Sequence, residues 1–384
     1  MTALDANKWK QAGTLQEVLP ELWEALQSKV DRMIGQIGDK SPHVAPADTG
    51  IYDDMRHDWW TAGFWPGILW IMHEMTGKDH YKEAAWKWDE KFDQKMIQPN
   101  NFHHDVGFQY LPTAVIKYKL TGDEDGKRRG LYAANFLAGR FNLAGNFLRA
   151  WNQDKTGWSI VDSSMNLSIL FWAAEEIADP RFSMIAKAHA DTVVNHFIRE
   201  DGSVNHIVSF DPLTGEVIES LGGQGAGPDS AWSRGASWAL HGMANTYRFT
   251  GDTKYLRAAQ RVAHYFISML PEDYVAHWDF RASETLEGEP RDTSAAACAA
   301  SGLLELAAAL PAVQARPYRE AAERMLLSLT QHYSTWDRPD HEAILVAGTG
   351  HKPAGQNLNV SLIYGDYFYI EALAKLLGWK TRIF

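Results

Sequence analysis

Six segments of the sequence are apolar or small on nearly every face of a helix, and this feature limits the possible folds more than any other. A helix without a polar face must be enclosed by other elements on all sides. Each segment is preceded or followed by an amphipathic stretch, and phrases with Gly, Asp or Pro mark the turns between helices. The apolar segments are residues 61–75, 105–120, 161–177, 231–249, 291–310 and 364–378, and the turn phrases begin at Thr76, Thr121, Ala178, Thr250 and Arg316.

Enclosed helices that alternate with amphipathic partners predict an inner ring of helices wrapped by an outer ring. We therefore predict an all-α fold, an (α/α)6 toroid of about twelve helices. No sustained alternating pattern indicates strands, and no linker rich in Pro, Gly or Ser divides the chain. The prediction is a single domain over residues 1–384, in which residues 1–57 form an N-terminal helix and a lead-in loop.

The formal charge of the chain is -11 at pH 7, which leaves no basic excess to neutralise phosphates. We therefore expect neither nucleic acid nor an anionic membrane as a partner. The first residues lack a basic stretch followed by an apolar one, and no run reaches the roughly 20 apolar residues of a membrane span. We expect a cytoplasmic protein that is a monomer or a weak homodimer.

The sequence offers little for a metal or a cofactor. A single cysteine, Cys298, excludes an internal disulfide and a thiolate metal cluster, and its small neighbours predict a buried core thiol. His103, His104 and Asp105 are consecutive, so their side chains diverge, and no other ligand spacing accompanies them. No Gly-rich phosphate loop is present. We therefore expect no cofactor and no bound metal.

Charged residues gather where the enclosed helices begin, at Asp105, Asp162, Arg234, Asp292 and Asp366. In a toroid these helices run the same way, so their starts converge on one mouth that favours an anion. Asp also commonly caps helices, a role worth about 1 kcal/mol. Capping fits best at Asp292 and Asp366. It fits least at Asp162, where the next two serines could cap, and at Asp105, which follows two histidines.

Several motifs in order carry a family resemblance. They are WWTAGFWPGILW at 59–70, HHDVGF at 103–108, VDSSMNL at 161–167, WSRGASW at 232–238, RDTSAAA at 291–297 and YGDYFYIEAL at 364–373. Together they resemble the unsaturated glucuronyl hydrolases, glycoside hydrolase family 88. The related unsaturated rhamnogalacturonyl hydrolases of family 105 share the toroid and part of the pattern.

The resemblance implies a role for individual residues. Asp162 matches the general acid/base of the family, and Asp105 matches its second essential carboxylate. The positions expected to contact substrate are Trp60, His104, Trp151, His206, Gln224, Arg234, Trp238 and Lys352. Two features depart from the family pattern. Gly223 stands where many members have His, and the loop at 348–366 carries its lysine in a different arrangement.

The resemblance also implies a reaction. An unsaturated uronate left by a polysaccharide lyase is a vinyl ether, and the family's route protonates C4 and adds water at C5. The resulting hemiketal opens and releases the neighbouring sugar, so the substrate is an unsaturated uronate-containing oligosaccharide. Two alternatives stay open: a rhamnogalacturonyl hydrolase, and a non-catalytic toroid that binds acidic oligosaccharides. Arg234 could hold the substrate carboxylate or brace Asp162 or Asp105 in a structural ion pair, and we expect it to hold substrate at a solvent-filled mouth.

Overall fold

The computed structural model describes residue 9, residues 11–98 and residues 100–384. The described chain is mostly helical. Its α-helices are α1 (Leu19–Ile37), α2 (Phe64–Thr76), α3 (Asp79–Ala85), α4 (Glu90–Ile97), α5 (Val106–Tyr110), α6 (Ile116–Thr121), α7 (Glu124–Ala138), α8 (Ser163–Glu176), α9 (Pro180–Thr192), α10 (Ser233–Thr250), α11 (Thr253–Ser268), α12 (Thr293–Ala308), α13 (Ala312–His332) and α14 (Ile363–Leu376).

The six apolar segments are helices, as predicted, and they are called the enclosed helices below: α2, α5 with α6, α8, α10, α12 and α14. Side chains of α12 are buried continuously from Thr293 to Ala307, which leaves no solvent face. Each enclosed helix packs against the next one along the chain, and α14 packs back against α2. Helices such as α11 have one buried and one polar face and cover the enclosed helices from outside.

Proline residues lie in one π-helical turn and at the start of α13. A π-helical turn, Leu111–Val115, joins α5 to α6, and Pro112 within it has no N–H to donate to the helical ladder. The turn expected at Arg316 is wrong, because α13 already begins at Ala312. Pro311 supplies the break before that helix, whereas Pro317 lies inside it. A second π-helical turn, Val193–Phe197, follows α9.

Three small antiparallel sheets were not expected from the sequence. Their strands are β1 (Val44–Ala45), β2 (Phe141–Asn142), β3 (Phe147–Leu148), β4 (Trp158–Ile160), β5 (Ile207–Phe210), β6 (Val217–Leu221), β7 (Gly348–His351) and β8 (Gln356–Leu362). The sheet orders are β1-β8-β7, β2-β3 and β4-β5-β6. Strand β4 leads into α8, and β8 leads into α14, so these two sheets lie beside the starts of enclosed helices.

The segment expected as a helix and a lead-in loop, residues 1–57, contains α1 and β1, while residues 1–8 and 10 lie outside the described residues. One continuous hydrophobic cluster runs from Trp9 to Phe384 among the described residues. None of the described helices combines the length and the apolar character that a bilayer-spanning segment needs.

Asp366 lies in the first turn of α14 and fastens the chain before β7 to that helix. Its Oδ1 accepts the backbone N–H of Leu345 at 2.8 Å, and its Oδ2 accepts Ile344 N–H at 2.9 Å and Tyr52 O–H at 2.8 Å. The expected capping role of Asp366 is therefore wrong, because its acceptors serve a loop. Burial raises the pKa of Asp366 to about 6, although the two backbone donors oppose the shift.

We predict that Asp366→Asn lowers the free energy of unfolding by about 1–3 kcal/mol, because the amide N–H2 would face a backbone donor inside the core. Tyr52→Phe removes one donor and should cost about 1 kcal/mol. Urea unfolding of both variants measures the difference. An Asn variant as stable as the wild type would show that the loop does not depend on this carboxylate.

Candidate active site

A cavity of about 330 Å³ opens where α5, α8 and α10 begin. Most of the side chains expected to form the site line it. These are Trp60, His104, Asp105, Trp151, Asp162, His206, Gln224 and Arg234. The structure thus brings together two acidic residues, two indole rings and several polar groups that lie far apart in the sequence.

Asp162 occupies the N-cap position of α8 but makes no side-chain cap hydrogen bond. Its Oδ2 is buried and has no hydrogen-bond partner among the described residues. The His206 ring lies close by, with its Nε2 3.5 Å from that oxygen. An acidic group with an uncommitted oxygen in a cavity can exchange a proton with a ligand, and capping does not explain its position.

His206 is oriented by the backbone of the loop that follows β6. The N–H of Gln224 donates to His206 Nδ1 at 2.9 Å, so the neutral ring carries its proton on Nε2, toward Asp162. Gly223 has a φ of +57°, and a Cβ there would lie 2.1 Å from His206 Nδ1. Glycine is therefore required at position 223 for this close approach.

Asp105 forms an ion pair with His104. His104 Nδ1–H donates to the carbonyl of Ala150 at 2.8 Å, and its Nε2 lies 3.1 Å from Asp105 Oδ1. Burial acts against charge on the His104 ring, but the adjacent Asp105 outweighs it and raises the His104 pKa. Burial likewise acts to raise the pKa of Asp105, and the His104 charge lowers it overall. Asp105 is thus held as a carboxylate.

Asn166, which the sequence analysis missed, joins the two acidic residues. Its Nδ2 donates to Asp105 Oδ1 and to the backbone carbonyl of Asp162, both at 3.1 Å. Its Oδ1 accepts the N–H of Phe108 at 2.8 Å. Asn166 follows Asp162 by four positions, which is one turn along the same helix. This spacing is the feature of the sequence that could have identified Asn166 as a site residue.

Arg234 lines the cavity, but the expectation that it lies at a solvent-filled mouth is wrong, since it is only 2% exposed. Its Nη1 donates to Asp292 and to the carbonyl of Thr349, at 2.6 Å for the latter. Its Nη2 donates to Gln224 Oε1 at 2.7 Å and to the carbonyl of Gly350 at 2.6 Å. Arg234 therefore pairs with Asp292, which neither of the two roles expected for Arg234 had included.

Asp292 is the helix cap that the sequence suggested. Its side chain accepts the N–H of Ser294 at the start of α12. Its other oxygen forms the ion pair with Arg234. The capping prediction is confirmed at this position, and the same carboxylate also connects two enclosed helices.

Two residues expected at the site lie outside the cavity. Trp238 is 1% exposed and packs between Phe108 and Phe368, with ring centroids 5.1 and 5.5 Å away. It sits more than one turn inside α10, behind the cavity wall. Lys352 lies in a short 3-10 helix, Lys352–Ala354, with its Nζ 3.8 Å from Glu289. Lys352 is not among the residues that line the cavity.

Several lining residues were not expected at the site from the sequence: His43, Gly350, Gln356, Asn357 and Tyr364. The ring of Tyr364 lies 4.8 Å from Trp60 and 6.2 Å from His43, centroid to centroid, which builds an aromatic wall. Burial lowers the pKa of His43 to about 3, so this ring is neutral. Such a wall suits the apolar face of a sugar.

A metal could be held only by closely spaced ligands. The expectation that the consecutive side chains of His103, His104 and Asp105 diverge is wrong, because among the described residues they bring three possible ligand atoms within 4.8 Å of one another. The ion pair with Asp105 already uses Nε2 of His104. Burial and the neighbouring His104 lower the pKa of His103 to about 4, so this ring is neutral.

A helical chain with two acidic residues and an aromatic wall in one cavity has the composition of a glycoside hydrolase site. The model of Glycosyl Hydrolase Family 88 matches residues 29–376, and the chain belongs to this family. It is therefore a glycoside hydrolase.

Characterised relatives cover nearly the whole chain. The unsaturated glucuronyl hydrolase of Bacillus sp. (strain GL1) is 34% identical over 355 residues, which are 90% of this chain and 93% of the relative. The unsaturated chondroitin disaccharide hydrolase of Streptococcus pneumoniae is also 34% identical, over 85% of this chain and 83% of the relative. The crystal structure of the Bacillus sp. GL1 enzyme matches with a TM-score of 0.88 at 32% identity, covering 92% of this chain and 96% of that one.

We predict that Gly223→Ala lowers kcat by about 10-fold or more, because the new Cβ displaces the His206 ring beside Asp162. Gly227→Ala is the matched control, since a Cβ there meets no atom within 4 Å. Steady-state kinetics of both variants measure the effect. If the position-223 variant retained the turnover of the position-227 variant, the orientation of His206 would not matter for the reaction.

Proposed function

We propose that the enzyme hydrolyses the bond between an unsaturated 4-deoxy-uronate and the next sugar of lyase-generated oligosaccharides of the glycosaminoglycan type. The named relatives support this substrate class, because their names specify unsaturated glucuronyl and unsaturated chondroitin disaccharide substrates. The single observation that carries the mechanism is the buried Oδ2 of Asp162, which has no hydrogen-bond partner among the described residues.

Asp162 is proposed to act as the general acid and then as the general base. As an acid it gives its proton to C4 of the C4=C5 bond, and positive charge develops at C5 beside the ring oxygen. Water then adds at C5 while the Asp162 carboxylate accepts a proton from it, so the acid is regenerated. The C5–O5 bond of the hemiketal then breaks, which leaves a ketone at C5 and a hemiacetal at C1. The hemiacetal expels the neighbouring sugar as its free alcohol and becomes an aldehyde, and no covalent bond to the enzyme forms.

Asp105 has a different proposed role, because the adjacent His104 keeps it ionised. An ionised carboxylate can accept a hydrogen bond from a substrate hydroxyl and fix the ring beside Asp162. Asn166, bound to both acidic residues, is a positioning residue in this scheme. When two acidic groups of one site have different surroundings, one of them can carry a proton while the other stays a fixed negative charge.

The remaining lining residues are proposed to bind the sugar. Trp60 and Trp151 offer faces for the pyranose ring, and Gln224 and His206 offer polar contacts. Arg234 is proposed as a positioning residue, since it holds Gln224 and the carbonyls of β7.

We also infer that the chain is one catalytic domain with the (α/α)6 toroid fold. Support comes from the closed order of contacts among the enclosed helices and from the continuous hydrophobic cluster. Parallel enclosed helices in such a ring bring their N-terminal ends, and with them Asp105 and Asp162, to one mouth.

We predict that Asp162→Asn lowers kcat by about 100-fold or more while KM and the melting temperature change little, since acid/base catalysis supplies about 10²–10⁴-fold. The assay follows loss of the ultraviolet absorbance of the double bond in unsaturated chondroitin and hyaluronan disaccharides. Asp229→Asn, an exposed Asp in the loop before α10, is the control. Retention of more than about a tenth of wild-type kcat would remove Asp162 from this role.

The same assay tests the non-catalytic alternative. A toroid that only binds acidic oligosaccharides would bind the disaccharide without any loss of absorbance. Calorimetric binding by the wild type with no change in absorbance would therefore overturn the proposed hydrolysis.

We predict that dialysis against EDTA leaves kcat unchanged, because the proposed chemistry uses two acidic residues and water. The measurement is the activity before and after chelation, with the metal content checked in both samples. Loss of activity that returns only on addition of a divalent ion would assign His103, His104 and Asp105 to a metal instead.

A further inference from the structure

The loop between β3 and β4, residues 149–157, carries Trp151 to the wall of the cavity but has no regular structure of its own. We call it the Trp151 loop. Residues 152–156 of this loop are exposed to solvent, and Trp151 itself is half-buried. Within the described chain, the only hydrogen bond that reaches the backbone of Trp151 comes from the side chain of Arg140. The position of the indole ring therefore depends on that side chain.

Arg140 lies two residues after the end of α7, and its guanidinium group donates to four acceptors of the Trp151 loop. Its Nε donates to the carbonyl of Arg149 at 2.9 Å, and its Nη1 donates to Asn152 Oδ1 at 2.7 Å. Its Nη2 donates to the carbonyls of Ala150 at 2.8 Å and Trp151 at 3.0 Å. One planar group thus holds four consecutive residues in a fixed arrangement.

The four acceptors of Arg140 are uncharged, so hydrogen bonds to the loop account for the position of this cation. Burial lowers the pKa of Arg140 to about 10, the nearby Arg149 acts in the same direction, and the charge of Asp105 opposes the shift. The guanidinium group is still protonated at neutral pH, so all its N–H donors are present. Its donors satisfy backbone carbonyls that have no partner in a helix or a sheet.

The same contacts fix the Trp151 loop relative to the acidic residues of the site. The Ala150 carbonyl, which accepts from Arg140, also accepts His104 Nδ1–H at 2.8 Å. His104 Nε2 in turn lies 3.1 Å from Asp105 Oδ1. The loop is therefore bound both to Arg140 and to the segment that carries Asp105.

We propose that Arg140 is a positioning residue that orders the Trp151 loop before the substrate binds. This inference rests on the proposed function, in which Trp151 offers a face to the pyranose ring. An ordered loop presents the indole ring in its binding orientation, whereas a loop that must be ordered by the substrate lowers the affinity. Arg140 does not line the cavity, so it acts through Trp151.

Steady-state kinetics with an unsaturated chondroitin disaccharide test this role. Arg140→Lys keeps the positive charge but loses the planar fork, so one ammonium group cannot reach all four acceptors. We expect KM to rise about 10-fold while kcat stays within about 2-fold of the wild type, because the loop is ordered again once the substrate is bound. Arg140→Gln should raise KM by a similar factor, since the geometry of the donors matters more than their charge.

A double-mutant cycle with Trp151→Ala gives a readout that is specific to positioning. Trp151→Ala alone should raise KM, because the ring that contacts the sugar is removed. If Arg140 acts through that ring, Arg140→Lys should change KM less than about 2-fold in the Trp151→Ala background. A general loss of structure would instead add its full effect to that of Trp151→Ala.

The matched control is Arg199→Lys, because Arg199 is also partly buried and also donates to uncharged acceptors of a loop. These acceptors are the carbonyls of Ser230 and Pro228, both at 2.7 Å, and Ser203 Oγ at 3.0 Å. None of the three residues lines the cavity. Both lysine variants should lower the melting temperature, but only Arg140→Lys should raise KM.

Arg149→Gln provides a second test, which decides the question if Arg140→Lys does not fold. Arg149 is partly exposed, and its Nη2 donates to the carbonyls of Asn152, at 2.5 Å, and Gln153. Loss of these donors should raise KM about 3-fold, and this effect should also disappear in the Trp151→Ala background.

An unchanged KM in Arg140→Lys would overturn the inference, as would additive effects in the double-mutant cycle. A shifted pH profile of kcat with an unchanged KM would assign the effect to His104 and Asp105 and also overturn it. In these cases, turnover of the disaccharide by the wild type leaves the proposed function standing. Absence of turnover by the wild type would overturn the proposed function and this inference with it.

Discussion

The enclosed helices determine most of the architecture, because a helix with no polar face must be covered on every side. Small residues make this possible. In α12 the run Ala295–Ala300 lets neighbouring helices approach closely, and Ser164 of α8 packs where Gly242 of α10 has no side chain. The outer helices then need only one apolar face. Charged and polar groups are left mainly for the ends of the enclosed helices, where the connecting segments and solvent can satisfy them.

The two ends of the ring use their charged groups differently. Toward the C-terminal ends of the enclosed helices, Lys375 lies 3.4 Å from Glu305 and 3.5 Å from Glu371, and Arg248 and Arg382 also bind Glu305. These buried and half-buried charges compensate one another. At the N-terminal ends, Asp162 keeps an oxygen without a partner among the described residues. Leaving a buried acceptor unsatisfied costs stability, which is a common property of residues kept for chemistry.

Sequence patterns predicted the helical framework well because the signal is local. The segment expected at 231–249 is α10 (Ser233–Thr250), and that at 291–310 is α12 (Thr293–Ala308). The strands were missed because they are short and pair over long distances, as β1 does with β8. One hairpin did leave a local signal, since DPLTGE separates the strand-like IVSF and VIESL of β5 and β6.

The sequence could predict those site residues that lie at the starts of the enclosed helices. Asp105 and Asp162 converge because both begin enclosed helices, and the capping argument correctly set Asp292 apart from them. His43 could not be found in this way, because it comes from the lead-in loop and reaches the cavity only through the β1–β8 pairing. Tyr364 could have been, since it opens the last enclosed helix within a quoted motif.

Arg234 illustrates why position at a helix start is not enough to assign a role. Its motif, its charge and its place in the cavity all suit a ligand for a substrate carboxylate. Its two terminal nitrogens, however, donate to four oxygens of the protein, while Asp162 at the start of the neighbouring helix has an oxygen that accepts no hydrogen bond from the part of the chain that the structure describes. The hydrogen bonds therefore distinguish Arg234 from Asp162, which the sequence alone did not do. The arginine connects α10 with Asp292 before α12 and with the carbonyls of Thr349 and Gly350 in β7. Because β7 contributes Gly350 and His351 to the cavity lining, these hydrogen bonds hold part of the cavity wall in place.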